Sequence, residues 1–156
     1  MNVDIRVATI LVVGLAAVVE DLKSRTISNW TTGGALLAGL VIHAWRNGWH
    51  GLGHAALGAV LGFVVFLVFF LLGGMGGGDI KLMTGFGALL GGLQSLWAAF
   101  WTAFAGGIFA MVFLAVRGIW RWARGIKGSP SENWSESIPY GPAIAVGALL
   151  ALVSEF

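Results

Sequence analysis

The sequence has 156 residues, of which 58% are hydrophobic and only 10% are charged, and its net charge is +2. Soluble domains carry about 25% charged residues, so this composition excludes an ordinary soluble domain. The small net charge gives no reason to expect nucleic acid as a partner. The sequence contains no cysteine, which excludes disulfides, thiolate metal sites and thiol nucleophiles. Its long uncharged stretches predict an all-α membrane protein, because backbone polar groups in lipid must pair within helices.

The apolar segments predict six transmembrane helices in one domain that covers residues 1–156, since about 20 residues cross a bilayer. Lys23 and Arg25 follow the first segment instead of preceding it, so we expect a retained helix and not an export signal. The fourth and fifth helices are expected to separate at Gln94 and Ser95, the only polar residues there. In chain order, the predicted helices cover 5–20, 30–45, 52–73, from just after Asp79 to 96, 98–117 and 139–155.

The basic residues predict the orientation of these helices. All nine Lys and Arg residues except Arg6 and Arg46 fall on one side of the predicted topology. Cytoplasmic loops are enriched in Lys and Arg, so this side is expected to face the cytoplasm and both termini to lie outside. Asp21 follows the first helix and Asp79 precedes the fourth. Both aspartates are therefore predicted at the cytoplasmic face of the inner membrane.

Asp21 and Asp79 are the candidate catalytic residues. Carboxylates near hydrocarbon are costly and mark functional sites, and two at one face suggest an acid–base pair that activates water. Each also has a structural explanation: Asp79 suits a helix N-cap after a glycine run, and Asp21 suits an interfacial charge beside basic residues. Peptide dipoles favour the ionised form at a helix start and oppose it at a helix end. The helix dipoles therefore predict Asp79 as the base and Asp21 as the acid.

Three short motifs carry a resemblance to a known family. Residues 21–29 read DLKSRTISN, residues 76–81 read GGGDIK, and residues 138–143 read IPYGPA. In this order they resemble the first-aspartate segment, the Gly-x-Gly-Asp-x-Lys signature and the Pro-aromatic-Gly-Pro stretch of the type IV prepilin peptidases. Ser28 stands where that family commonly has proline. The residues that the resemblance assigns to the shape of the site are Gly76, Gly78, Lys81, Pro139, Gly141 and Pro142.

The resemblance implies an intramembrane aspartic endopeptidase that removes a short basic leader from type IV pilin-like precursors. Its partners would be the pilin precursor and the lipid bilayer, without metal, cofactor or nucleic acid. The compact length is similar to the forms that serve tight-adherence pili. Longer members of the family add a cysteine-containing cytosolic domain and methylate the new N-terminus of the pilin. This sequence has no cysteine and only short early loops, so the resemblance implies a peptidase without N-methyltransferase activity. The precursor, the bond that is cut and the oligomeric state stay open.

Two other functions fit part of the pattern. A small proton-coupled transporter would also carry intramembrane acids and glycine-broken helices, although its acids would be expected nearer the midplane. A non-catalytic pilus assembly subunit would use the same acids only to anchor helix ends. Lys81 fits either a role near the acids or simple snorkelling to the interface. His43, His50 and His54 are expected at the opposite face, without the spacing of a metal site.

Overall fold

The computed structural model describes residues 5–72, 75–123 and 141–153. Every regular element within these ranges is an α-helix, which confirms the predicted all-α class. The helices are α1 (Ile5–Ser24), α2 (Asn29–Leu71), α3 (Gly77–Leu90), α4 (Gln94–Ala123) and α5 (Gly141–Val153).

Helix α2 consists of two segments that run in opposite directions. Asn47 and Gly48 have non-helical backbone angles at the junction, and Gly48 has a φ of 55° that favours glycine. The two segments correspond to the predicted helices 30–45 and 52–73. Their directions follow from their contacts with α3. Before the junction, later residues of α2 contact later residues of α3, and after the junction, later residues of α2 contact earlier residues of α3. These contacts are Ala35 with Gly85 and Gly39 with Leu89, then Gly58 with Gly87 and Gly62 with Met83.

Helix α3 forms the centre of the bundle. It buries ten of its fourteen residues, and all four of the other helices contact it. Helices α1 and α5 lie antiparallel, because Gly14 meets Ala145 while Asp21 meets Gly141. The bundle therefore has two distinct ends. We call them the aspartate end, which contains Asp21, Asp79 and Gly141, and the histidine end, which contains His43, His54 and Gln94.

The outer faces of the bundle are apolar. Helix α1 exposes Val12 and Leu15 by 69% and 67%, and α2 and α4 expose further large apolar side chains. Soluble monomers rarely expose such extended apolar surface, whereas hydrocarbon covers it at no cost. One helix among the described residues, Asn29–Leu71, is long and apolar enough to cross a membrane by length and composition.

The helix boundaries differ from the sequence prediction around α3 and α4. The break comes at Gly91 and Gly92, whose φ values are 78° and 34°, and not at Gln94, which begins α4. Two successive glycines with positive φ end a helix more effectively than a polar pair, because L side chains are strained there. Asp79 lies inside the first turn of α3 instead of just before the helix. Pro139 lies outside the described residues.

Close glycine contact between α2 and α3 predicts a large stability effect. A Cβ at Gly87 would overlap the backbone carbonyl oxygen of Gly58. We expect Gly87→Ala to lower the free energy of unfolding by about 1–3 kcal/mol, because a backbone contact cannot yield as a side chain does. Denaturant unfolding in detergent measures the change. Gly53→Ala is the matched control, since nothing lies within 4 Å of a Cβ there. Equal stability of the two variants would contradict the packing argument.

Candidate active site

Asp21 is held between two helices at the aspartate end. It lies in the last turns of α1, and only 7% of its surface is exposed. Its Oδ2 accepts a hydrogen bond of 2.9 Å from the backbone N–H of Gly141, the first residue of α5. A Cβ at Gly141 would lie 2.8 Å from that oxygen, so glycine permits the approach. Backbone N–H groups at a helix start stabilise an ionised carboxylate.

Asp79 faces the same end from the central helix. It is the third residue of α3, and 9% of its surface is exposed. Its Oδ2 accepts a hydrogen bond of 3.2 Å from the backbone N–H of Gly76, which precedes the helix. This is the reciprocal half of a capping box, so the carboxylate does contribute to the helix start. A single hydrogen bond leaves the carboxyl group with further capacity to bind protons or water.

The surroundings of Asp21 favour the opposite assignment of roles to the one that helix dipoles predict. Asp21 lies near the end of α1, but its Oδ2 also meets the backbone N–H at the start of α5. A helix start favours an ionised carboxylate, so this contact suits Asp21 to the role of base. The assignment of Asp79 as the base and Asp21 as the acid stays a prediction.

The glycines before Asp79 have ordinary backbone geometry. Gly76 is extended, with φ −83° and ψ 157°, and Gly77 and Gly78 already belong to α3. None of these three positions therefore needs a backbone angle that favours glycine. A Cβ at Gly78 would lie 3.6 Å from the Cβ of Ile27, which is ordinary contact. Gly76 and Gly77 are exposed, so their small size leaves the approach to Asp79 uncovered.

Two polar residues beside the turn between α1 and α2 had no functional role in the sequence-based prediction: Glu20, in α1, and Ser28, just before α2. Glu20 accepts hydrogen bonds from the backbone N–H of Ser28 at 2.8 Å and from the Thr31 hydroxyl at 2.7 Å. The Ser28 hydroxyl in turn caps α2 by accepting from the backbone N–H of Trp30 and Thr31. Ser28 thus caps α2 and binds Glu20 at the position where the family commonly has proline. Two features of the sequence could have indicated these residues: the position of Glu20 directly before Asp21, and the Ser-x-x-Thr pattern of Ser28 and Thr31.

The remaining motif residues lie around the two acids. The Nζ of Lys81 donates a hydrogen bond of 3.0 Å to the side-chain oxygen of Asn29, which joins the starts of α3 and α2. Pro142 is the second residue of α5, where a fixed φ and a missing N–H suit the first helical turn. The structure therefore brings Asp21, Asp79 and Gly141 to one end, with Lys81 at its exposed rim.

A model of the type IV leader peptidase family matches residues 8–111. The chain belongs to this family. The match confirms the resemblance and includes both aspartates, and it ends within α4 before α5 begins. Neither a curated protein nor a solved structure matches the chain. Membership makes the protein a peptidase of a membrane-associated family whose members are of the aspartic type.

Proposed function

We propose that the protein is an intramembrane aspartic endopeptidase that removes the leader from type IV pilin-like precursors. The observation that carries the proposal is the pair of buried carboxyl groups, Asp21 from α1 and Asp79 from α3, at one end of the bundle. Family membership supports peptide hydrolysis as the activity. Two buried acids at one end of a bundle would be a costly structural device, because each buried charge loses its solvation. Such a pair is well suited to acid–base catalysis.

In the proposed mechanism the two acids have opposite roles. Asp21, stabilised as a carboxylate by the N–H of Gly141, takes a proton from the attacking water. The resulting hydroxide adds to the carbonyl carbon of the scissile amide, and Asp79 gives its proton to the carbonyl oxygen. Asp21 then returns its proton to the leaving nitrogen as the C–N bond breaks. Asp79 recovers a proton as the carbonyl reforms, so both carboxyls end in their starting states.

The proposed orientation places the aspartate end at the cytoplasmic face of the inner membrane. Six crossings would be made by α1, the two segments of α2, α3, α4 and α5. The opposite directions of the two α2 segments support this count, since they supply the sixth crossing. Lys23, Arg25 and Lys81 occur at the aspartate end, in agreement with the positive-inside rule. Both termini would then lie outside.

The substrate fits this position. A pilin precursor would keep its apolar helix in the bilayer and present the bond between leader and helix at the membrane surface. The exposed glycines Gly76 and Gly77 would let an extended peptide approach Asp79 closely. A basic leader would also lie near the carboxylate of Asp21 and the side chain of Glu20, which favours cationic segments.

Co-expression with candidate precursors from the same source tests the proposed function. The expected result is a shift in precursor mobility, with N-terminal sequencing that places the cut between the leader and the apolar helix. Purified protein in liposomes provides the contrasting assay. Proton-dependent solute uptake without cleavage of any precursor would contradict the proposed function and favour a proton-coupled carrier.

A further inference from the structure

A polar cavity lies at the histidine end of the bundle. It has a volume of about 620 Å³. The start of α1, the junction within α2 and the turn between α3 and α4 all meet there. Polar side chains from each of these elements line it: Arg6, His43, Asn47, His50, His54 and Gln94.

This cavity is separate from the two aspartates. Arg6 and Asp21 are at opposite ends of α1, and fifteen residues at about 1.5 Å each place them roughly 22 Å apart. Cavity and candidate active site therefore lie at opposite ends of the bundle. The polar groups of the cavity have no part in the proposed hydrolysis.

The lining is basic and rich in hydrogen-bond donors. Arg6 carries a guanidinium with five N–H donors, and His50 and His54 each offer at least one ring N–H. None of the described residues that line the cavity is an acid. No group of three potential metal ligands occurs among the described residues, either. This chemistry favours an anion with several acceptor oxygens over a cation.

The walls of the cavity are held in place by neighbouring contacts. His43 is 4% exposed, and its Nε2 lies 3.0 Å from the carbonyl oxygen of Leu89. Because a carbonyl only accepts hydrogen bonds, Nε2 carries the proton. The rings of His43 and His54 lie 5.8 Å apart, and the backbone carbonyl of His54 accepts a hydrogen bond from the N–H of Gly92. These contacts fix the wall formed by His43 and the backbone at His54.

Aromatic side chains next to the cavity indicate a membrane interface. Trp45 and Trp49, on either side of the α2 junction, are exposed by 89% and 87%. Trp97, in the first turn of α4, is exposed by 56%. Tryptophan concentrates at the level of lipid headgroups. A cavity at that level would meet phosphate groups.

We propose that this cavity binds a phosphate group, either from an anionic phospholipid headgroup or from free inorganic phosphate. Arg6 would hold the phosphate oxygens with charge-assisted hydrogen bonds, and His50 and His54 would contribute further donors. Neither source is required by the proposed peptidase activity. Binding is measured without a cleavage assay, so absence of phosphate binding would not contradict the proposed peptidase activity.

Two binding measurements on the full-length protein distinguish the sources. Calorimetric titration with inorganic phosphate in detergent, against chloride at matched ionic strength, measures binding of the free anion. Native mass spectrometry after release from phosphatidylglycerol nanodiscs counts retained lipid, and nanodiscs of a phosphate-free neutral glycolipid provide the baseline. We expect saturable binding of at least one probe to the wild type.

Arg6→Gln should weaken that binding about tenfold or more, because a charge-assisted hydrogen bond is lost. Lys23→Gln removes one exposed positive charge at the other end of α1 and should bind as the wild type does. If Arg6→Gln does not fold, His54→Gln provides the same comparison. Retention of lipid alone assigns the headgroup, and binding of phosphate alone assigns the free anion. Binding of neither probe, or equal binding by the cavity variant and Lys23→Gln, would overturn the proposal.

Discussion

Asp21→Asn and Asp79→Asn are each expected to reduce precursor cleavage by at least about a hundredfold, since general acid–base catalysis contributes about 10²- to 10⁴-fold. Asparagine keeps the size of aspartate but can neither take a proton from water nor give one to the substrate at neutral pH. Cleavage of a cognate precursor, followed over time by mobility shift, measures the loss.

The control for these variants is Asp4→Asn, which changes the third aspartate of the sequence in the same way. It should cleave as the wild type does. Comparable amounts of each variant in the membrane fraction, with a similar unfolding midpoint, would show that the loss is catalytic. Wild-type cleavage by either Asp21→Asn or Asp79→Asn would refute the proposed pair of acids.

Gly141→Ala is expected to lower kcat by up to about a hundredfold, without changing either acid. The added Cβ would come within 2.8 Å of Oδ2 and 2.9 Å of the Cβ of Asp21, so the side chain of Asp21 must move. A displacement of about 1 Å in a catalytic group costs about a hundredfold in rate. The variant keeps the backbone N–H that donates to Asp21, so its effect reports position and not loss of the donor.

Gly107→Ala is the matched control for that substitution, because nothing lies within 4 Å of a Cβ at Gly107. Both variants exchange a helical glycine for alanine, and Gly107→Ala should cleave normally. A fall in kcat at unchanged unfolding midpoint is the expected signature of Gly141→Ala. Equal kcat for both variants would show that the contact between α5 and Asp21 does not set the catalytic geometry.

The helical fold could be predicted because long apolar runs have few alternatives in lipid. The predicted break between helices 30–45 and 52–73 coincides with the α2 junction at Asn47 and Gly48. The end of α3 was misplaced, since Gly91 and Gly92 stop a helix through backbone angles that a hydropathy pattern does not contain. Helix type and number of apolar segments are local properties, whereas exact ends depend on local strain and packing.

The candidate site could be predicted only in part. The motifs drew attention to both aspartates and to Gly141, but not to the hydrogen bond that joins Asp21 and Gly141 across 120 residues. The roles of the two acids were predicted from one helix each, so the start of α5 beside Asp21 was not included. Glu20 was passed over since its partners, Ser28 and Thr31, come close only when α1 and α2 turn back on each other.

The shortness of α3 sets the depth at which this chemistry would take place. Fourteen residues at about 1.5 Å each give a helix of about 21 Å, whereas the hydrocarbon layer is about 30 Å thick. A helix of that length cannot reach both surfaces. The other helices all contact α3, so they separate its ends from the surrounding lipid. If the shortfall lies at the aspartate end, the carboxyl of Asp79 would lie in a recess below the headgroups. Water would have to enter this recess from the adjoining surface, and the substrate would have to unwind the first turn of its own helix to reach Asp79.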